Sequence, residues 1–214
     1  MSVIVPAVTV ETLDQYRDEI TKIQTFARRV HIDISDGEFA PTFLLSEAQL
    51  YWPEGFEVDL HAMVMRPSQH LAQLIALKPS MVILHAEAQE DILPHLDMLK
   101  QAGIKAGVGL LKTTVPQTVE AAIKAADHVM LFSGDLGKHG GTASMMQLEK
   151  LRLVKKINPA VEIGWDGGVK MDNAYTLSRG GVEVLNVGGE IASAVDPANV
   201  YNRLVAEINK HGVI

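Results

Sequence analysis

Eight short apolar runs recur along this chain, and segments with helical spacing separate them. The centres of the runs lie about 22 to 34 residues apart, which is the combined length of a strand, a loop and a helix. The repetition continues through all 214 residues without a linker or low-complexity tract. It predicts an α/β fold, a (β/α)8 TIM barrel formed as one domain over residues 1–214. The runs span residues 3–8, 29–34, 57–64, 81–86, 104–110, 128–133, 161–166 and 182–187.

An open doubly wound sheet is the competing arrangement. Such a sheet usually has fewer strands and a glycine fingerprint in its first turn, and no such fingerprint follows the run at 3–8. The segment after that run places Leu13, Tyr16, Ile20 and Ile23 on one helical face. This pattern is typical of a helix that packs against the outside of a barrel.

Charge and composition exclude several classes of function. The chain has 19 Lys and Arg against 26 Asp and Glu, a net charge of -7, so we expect neither nucleic acid nor a membrane surface as a partner. The absence of cysteine removes disulfides, thiolate catalysis and sulfur-ligated zinc. No basic leader precedes the first apolar run, and no run is long enough to span a membrane. We therefore expect a cytoplasmic enzyme.

Polar side chains gather at the carboxyl ends of the predicted strands, where a barrel of this kind builds its active site. His31 and Asp33 alternate with apolar residues, so both are expected to point into the barrel. His61 and Asp166 end their runs at a comparable depth. Two imidazoles and two carboxylates from three strands form a ligand set for a divalent metal ion.

Other polar residues near the strands have a structural explanation. A lone His in a strand is more often a hydrogen-bonded structural residue than a ligand, and an acid one pleat below a ligand often bridges strands. For Glu87 and Asp36 both explanations stay open, since Asp36 and Gly37 also form an ordinary turn pair. The residues given a structural role are His85, His95, His128 and Asp59.

Paired glycines follow the last two runs, in "DGGV" at 166–169 and "VGGEI" at 187–191. Glycine lets backbone N–H groups approach an anion closely, and these two loops are the usual phosphate position in this fold. The pairs Gly167–Gly168 and Gly188–Gly189 therefore predict a phosphorylated ligand.

Four motifs resemble the ribulose-phosphate 3-epimerase family, in order and at successive barrel positions. The resemblance covers essentially the whole chain and implies a TIM barrel of the ribulose-phosphate-binding type. It implies that one divalent metal ion is held by His31, Asp33, His61 and Asp166, with zinc as the first expectation and manganese, iron(II) or cobalt as alternatives. The motifs are "VHIDISDGEFAPT" at 30–42, "VDLHAMV" at 58–64, "LHAEA" at 84–88 and "WDGGVKMDN" at 165–173.

The resemblance also implies a reaction and a substrate. The family inverts C3 of a ketose phosphate, ribulose 5-phosphate to xylulose 5-phosphate, in the pentose phosphate pathway. Inversion removes a proton from one face and returns one to the other, so an acid–base group is needed on each side of a planar enediolate. Asp33 and Asp166 are the predicted pair, and Met63 is a further candidate for the pocket that receives the phosphorylated sugar.

The chain departs from the family pattern at several pocket positions. Ala7 stands where the family has a serine, Ser35 where it has a methionine, and Thr42 where it has an asparagine. These changes remove a hydroxyl and alter the shape expected near the metal. Ala7, Ser35 and the altered loop after the sixth run favour a related epimerase for another ketose phosphate, such as allulose 6-phosphate, as an alternative substrate assignment.

The loop after the sixth run, "LGKHGGT" at 136–142, is the larger departure. Gly140 and Gly141 keep the family's glycines, while Lys138 and His139 are new polar groups. The loop is either a variable surface loop or a lid in which an extra cation meets a phosphate. A non-catalytic phosphosugar-binding homologue is the third hypothesis, although both aspartates and both histidines are retained.

A homo-oligomer is also expected. Four large apolar residues in predicted loops or helix starts either cover a subunit contact or belong to the core. They are Tyr51, Trp52, Met145 and Met146.

Overall fold

The computed structural model describes residues 2–137 and 141–210. Eight parallel strands close into a barrel in chain order, and β1 pairs with both β2 and β8. The predicted TIM barrel is confirmed, and each strand begins within two residues of its predicted run. The strands are β1 Val3–Val8, β2 Arg29–Ser35, β3 Glu57–Met63, β4 Met81–His85, β5 Lys105–Leu110, β6 His128–Phe132, β7 Glu162–Asp166 and β8 Val184–Val187.

Helices follow the strands, with one exception. Between β2 and β3 the chain forms a 3-10 turn at Glu47–Gln49 instead of an α-helix. No helix in the described ranges is long and apolar enough to cross a membrane. The helices are α1 Leu13–Ile23, α2 Leu71–Ala76, α3 Leu93–Gln101, α4 Glu120–Ala125, α5 Leu148–Ile157, α6 Ala174–Arg179, α7 Gly189–Ala192 and α8 Pro197–Asn209.

Helix α1 shows how the sequence sets these elements. Its capping box pairs Thr12 with Gln15, which satisfies backbone N–H groups that the first helical turn leaves free. Tyr16, Ile20 and Ile23 are buried on one face, as their spacing predicts. Burial of this face against the barrel supplies the stability that a short isolated helix lacks.

Alternation along the strands separates an outer core from the barrel interior. The outer core packs the strands against the helices, for example through Val82 and Leu84 of β4. The neighbouring side chains of Met81 and Ile83 point inward and pack with Met130 and Phe132. Strands β4 and β6 therefore give the interior its apolar side chains, in addition to one histidine each, whereas β2 and β3 contribute mainly polar side chains.

Glycines on two strands make room for imidazoles inside the barrel. A Cβ on Gly109 of β5 would lie 3.0 Å from Cε1 of His85, and a Cβ on Gly164 of β7 would lie 2.4 Å from Nε2 of His128. Real Cβ atoms do not approach other atoms as closely as the second distance. The interior positions of β5 and β7 are thus matched to the two buried rings.

Candidate metal centre and active site

The four predicted ligands converge at the carboxyl end of the barrel. Parallel pairing of β2 with β3 sets Asp33 beside His61 in register, and His31 lies two residues below Asp33 on the same face. Asp166 is the last residue of β7. One nitrogen or oxygen atom from each of His31, Asp33, His61 and Asp166 lies within 4.8 Å of the others.

Hydrogen bonds already join three of these side chains. Oδ1 of Asp33 lies 2.7 Å from Nδ1 of His61 and 3.2 Å from Nε2 of His31. Oδ2 of Asp166 is 4.0 Å from Nδ1 of His61. Both imidazoles are fully buried, and both carboxylates are nearly so. The nitrogen and oxygen donors are close enough, and of the right chemical type, for a single divalent ion.

The two carboxyl groups have opposite pKa shifts. Burial opposes ionisation of Asp33, but hydrogen bonds and charge from His31 and His61 outweigh it and hold the pKa of Asp33 well below its usual range. Burial raises the pKa of Asp166, and repulsion from Asp33 adds to this against the attraction of His31. Burial would lower the pKa of His31, but Asp33 and Asp166 outweigh it and raise that pKa. The cluster thus holds one ionised carboxylate, Asp33, beside a second carboxyl group whose ionisation is disfavoured.

Thr9 contacts this cluster, and sequence reasoning missed it. Its hydroxyl donates to Oδ2 of Asp33 at 2.5 Å. Thr9 directly follows β1, and this position at the carboxyl end of a strand could have predicted the contact.

His85 and Glu87, on and after β4, extend the cluster outward. Nε2 of His85 lies 2.8 Å from Nε2 of His61, and Nδ1 of His85 lies 3.1 Å from Oε2 of Glu87. Burial lowers the pKa of His85 to about 4, so the ring is neutral at physiological pH. Burial opposes ionisation of Glu87, yet its hydrogen bond with His85 and its other contacts lower its pKa. Both residues therefore contact the site, which the sequence left open for Glu87 and did not predict for His85.

A cavity of about 250 Å³ opens above the cluster. Asp33 and Asp166 line it, and most of the other predicted pocket residues lie in its wall. Lys138, His139 and Gly140 lie outside the described residues. The predicted lining residues are Met63, Gly141, Gly167, Gly168, Gly188 and Gly189.

The glycines after β7 also have a packing role. A Cβ on Gly167 would lie 2.0 Å from the backbone nitrogen of Gly134, and one on Gly168 would lie 2.2 Å from that of Ala143. Both glycines have positive φ angles, 98° and 72°. The close approach of the loops after β6 and β7 therefore requires glycine at both positions, whatever they bind.

The cavity wall includes Ala7, which the family resemblance places in the pocket, and several residues that were not predicted. Ala7 lines the cavity, so the loss of the family's serine falls in the pocket itself. Phe132 and Lys170 add an apolar and a cationic group. Asn186 of β8 is buried, and within the described residues its Oδ1 has no hydrogen-bond partner.

A second buried network occupies the amino end of the barrel. Nε of Arg29 donates to Asp59 at 2.8 Å, and its Nη2 donates to Glu162 at 3.1 Å. Nδ1 of His128 lies 2.8 Å from the same Glu162 oxygen. Asp59 and His128, to which the sequence gives a structural role, both belong to this network, away from the cavity.

The large apolar residues considered for a subunit contact divide into two groups. Tyr51 and Met146 are 48% and 82% exposed, respectively. Trp52 and Met145 are partly buried and pack against the outer core.

The fold and the cluster together define a TIM barrel with a His–Asp centre at the carboxyl ends of its strands. The sequence model of the Ribulose-phosphate 3 epimerase family matches residues 3–192, and the chain belongs to this family.

Named relatives agree with this membership. Ribulose-phosphate 3-epimerase of Aquifex aeolicus is 29% identical over 174 residues, which cover 78% of each chain. The enzyme of the same name from Escherichia coli is 25% identical over 189 residues, covering 85% of this chain and 84% of its own. These relatives carry the name of an isomerase that acts on a carbohydrate.

Solved structures agree on the fold. The crystal structure of 3-hexulose-6-phosphate synthase from Salmonella typhimurium aligns with a TM-score of 0.69 at 17% identity, covering 98% of this chain and 100% of that chain. At this identity the likeness shows the shared barrel alone.

Proposed function

We propose that this chain is a metal-dependent epimerase that interconverts ribulose 5-phosphate and xylulose 5-phosphate by inversion at C3. The observation that carries the proposal is the pair of buried carboxyl groups, Asp33 and Asp166, which share one cluster with two histidines and line one cavity. Membership of the epimerase family and the names of the relatives support the same reaction. The predicted place in the pentose phosphate pathway follows from this substrate.

Asp33 and Asp166 act as the acid–base pair in this proposal. They come from different strands, so each can serve one face of a substrate bound in the cavity above them. One carboxylate removes the C3 proton, and the other carboxyl group returns a proton to the opposite face of the enediolate. A divalent ion held by His31, Asp33, His61 and Asp166 would supply positive charge to the oxygen atoms of the bound sugar. His31 and His61 hold Asp33 in place for both roles.

The glycine loops bind the phosphate in this proposal. Gly167, Gly168, Gly188 and Gly189 expose backbone along the cavity wall, and small residues allow close approach of N–H groups to an anion. Lys170 supplies a cation in the same wall. The predicted contributions of Lys138, His139 and Gly140 stay predictions.

A second substrate is favoured by Ala7. This small side chain lines the cavity where the family has a serine, which leaves more room and removes a hydroxyl contact. Allulose 6-phosphate, with one more carbon, is the alternative ketose phosphate. Asn186 supports either substrate, because its buried Oδ1 can accept a hydrogen bond from a sugar hydroxyl.

Turnover of both substrates by the metal-reconstituted protein tests the proposal. Epimerisation and exchange of the C3 proton in heavy water are followed together, with chelator-treated protein as the control. Fast epimerisation of ribulose 5-phosphate supports the first substrate, and preference for allulose 6-phosphate moves the assignment to the second. Absence of both epimerisation and exchange, with metal bound, would support a non-catalytic phosphosugar-binding homologue.

Three further properties belong to the proposal. Zinc is the first choice of metal, and reconstitution with manganese, iron(II) or cobalt compares the alternatives. A homo-oligomer is expected, and Tyr51 and Met146 are exposed apolar residues that could lie in its contact. Light scattering of the protein as it elutes from a size-exclusion column measures the mass of the assembly. The cytoplasmic location expected from the sequence stays a prediction.

A further inference from the structure

We propose that Glu87 and His85 are positioning residues that fix the tautomer of His61, so that Nδ1 of His61 presents a lone pair to the metal. The inference rests on the metal site of the proposed function and concerns how this chain prepares that site. We call the three side chains the Glu87–His85–His61 chain.

The contacts run in one direction through buried atoms. Oε2 of Glu87 lies 3.1 Å from Nδ1 of His85, and Nε2 of His85 lies 2.8 Å from Nε2 of His61. Nδ1 of His61 then faces Asp33 at 2.7 Å and Asp166 at 4.0 Å. Both rings are fully buried, so water does not compete for these atoms. The order from carboxylate to ligand atom is thus fixed by the fold.

Donor and acceptor chemistry then dictates each proton. An ionised Glu87 can only accept, so Nδ1 of His85 carries a proton and donates it. Nε2 of His85 lies 2.8 Å from Nε2 of His61, so one of these two atoms must donate to the other. A metal ion bound to Nδ1 of His61 would leave the ring proton on Nε2, which then donates to a bare Nε2 of His85. Without the ion, Nδ1 of His61 donates to Asp33 at 2.7 Å, so a bound ion would take the place of that proton.

The carboxylate that starts this sequence is itself anchored. Its second oxygen, Oε1, accepts from the backbone N–H of Leu111 at 2.9 Å and from the hydroxyl of Thr114. Lys150 of α5 donates to the carbonyl oxygens of Leu111 and Lys112 at 2.7 and 2.8 Å, which ties down this loop after β5. Glu87 therefore has one oxygen committed to the loop and one to His85.

The ring of His85 is confined as well as hydrogen-bonded. Gly109 leaves space on β5 that a Cβ would reduce, since it would lie 3.0 Å from the ring. Phe39 covers another side, with its ring centroid 4.6 Å from that of His85. This packing holds the imidazole in the plane that joins Glu87 to His61. A metal-binding histidine commonly donates its second ring N–H to a fixed acceptor, the place that His85 takes here, and loss of such an acceptor typically lowers metal affinity by about 10- to 100-fold.

The substitution Glu87→Gln tests the inference by reversing the protons without changing the shape of the side chain. Leu111 and Thr114 both donate to one position, so the amide oxygen is held there. The NH2 group then faces Nδ1 of His85 and donates to it, which moves the His85 proton to Nε2. Nε2 of His61 must then accept, so the ring can hold its proton only on Nδ1, the atom that should bind the metal.

The measurement is calorimetric titration of the metal-stripped protein with zinc. Glu87→Gln should weaken zinc binding by about 10- to 100-fold. Glu90→Gln, the same change in the same loop at a partly exposed position that bonds to Ser68 rather than to the cluster, is the matched control and should bind as tightly as the wild type. Equal affinity of Glu87→Gln and the wild type would overturn this inference alone. Failure of the wild type to bind zinc would overturn the proposed metal site together with it.

A second measurement does not use the metal. Nitrogen-15 shifts of the histidine side chains distinguish the two tautomers in the metal-free protein. His85 should carry its proton on Nδ1 in the wild type and on Nε2 in Glu87→Gln. A His85 proton on Nε2 in the wild type would contradict the inference even if zinc binding fell in the variant.

A pair of His85 variants separates proton direction from packing. His85→Gln retains an acceptor toward His61 and a donor toward Glu87, whereas His85→Leu retains neither. His85→Gln should therefore bind zinc more tightly than His85→Leu. Equal zinc affinity in two folded variants would assign His85 to packing alone. If His85→Leu fails to fold, the comparison of Glu87→Gln with Glu90→Gln still decides the question.

Discussion

The two ends of the barrel both bury histidines beside carboxylates, but they differ in what balances the negative charge. At the amino end, Arg29 bonds to both Asp59 and Glu162, so the network contains its own cation. At the carboxyl end, no Lys or Arg in the described ranges bonds to Asp33 or Asp166, and only histidines contact them as bases.

The difference explains why similar residue types serve stability at one end and chemistry at the other. A buried carboxylate with a permanent cation is a finished structural contact, because arginine stays charged at all relevant pH values. A carboxylate that only histidines contact has no permanent cation beside it, because histidine can be neutral. The carboxyl end is therefore suited to a divalent ion and to proton transfer, and the amino end is suited to neither.

Loss of Asp166 should produce the largest effect, on activity and metal binding and not on the stability of the metal-free protein. Asp166→Asn removes a ligand and one of the two acid–base groups, so kcat should fall by at least about 10³-fold. The raised pKa of Asp166 means that its ionisation disfavours the folded state at neutral pH, so the metal-free variant should melt no lower than the wild type. Steady-state kinetics and thermal unfolding measure the two effects. Asp172→Asn, the same change at an exposed position in the following loop, is the control. A near-normal kcat in Asp166→Asn would refute the catalytic role of Asp166.

Loss of Arg29 should produce the opposite outcome, a cost in stability without a change in chemistry. Arg29→Met leaves Asp59 buried without its cation, which should lower the free energy of unfolding by about 3 kcal/mol. Urea unfolding measures this, with the neighbouring exposed Arg28→Met as the control. The double variant Arg29→Met/Asp59→Asn should recover part of the loss, since no unpaired charge remains. A fall in kcat of the folded Arg29→Met protein would contradict the separation of the two ends.

Added zinc should stabilise the protein only through the carboxyl end. At a free concentration of 100 times Kd, a ligand that binds the folded state alone adds about 2.7 kcal/mol. His61→Ala should lose this gain, whereas Arg29→Met should keep it. Thermal shift with and without zinc measures the difference, and His95→Ala on α3 is the control. An unchanged zinc shift in His61→Ala would remove His61 from the ligand set.

Thr9 should make a smaller contribution at the same end. Thr9→Val removes the hydroxyl that donates to Asp33. Loss of this hydrogen bond should raise the activation free energy by about 1 kcal/mol, which is a several-fold fall in kcat. Thr9→Ser keeps the hydroxyl and should retain most of the wild-type kcat. If valine and serine at this position give the same rate, the hydroxyl has no part in the reaction.

The sequence predicted the barrel and the four clustered residues because both follow from local pattern. Strand alternation places His31 and Asp33 on one face, and the carboxyl ends of parallel strands necessarily meet at one end of the barrel. The positions of His61 near the end of β3 and of Asp166 at the end of β7 then bring them to the same place.

The missed contacts depend on the packing of particular side chains across the barrel. His85 reaches His61 because Gly109 on the next strand leaves room for its ring. The hydrophobic periodicity of the sequence does not predict this contact. Glu87 is held in the Glu87–His85–His61 chain by a hydrogen bond from the loop after β5. That loop is bound in turn by Lys150, which lies far along the sequence. The repeat also predicted eight similar units, whereas the β2–β3 connection contains only a 3-10 turn, in a segment that carries Pro41 and Pro53.

The smallest expected effect tests the amino end through pH. Burial opposes ionisation of Glu162, but hydrogen bonds with His128 and Arg29 outweigh it and lower its pKa below the ordinary value of 4.5. A lowered pKa in the folded state contributes stability above about pH 4.5, and this contribution is lost as the pH falls below that value. Glu162 is one-third exposed, so water screens the pairing and the contribution should be about 1 kcal/mol.

Glu162→Gln therefore should be less stable than the wild type at pH 7, and the gap should narrow as the pH falls below 4.5. Urea unfolding from pH 7 to pH 3 measures the gap, with Glu120→Gln on the exposed face of α4 as the control for losing a surface carboxylate. The pH dependence should be the same with and without zinc, because the network at the amino end contains its own cation. A gap that stays constant with pH would mean that charge on Glu162 does not stabilise this end, and the contrast between the two ends would then rest on Asp59 and Arg29 alone.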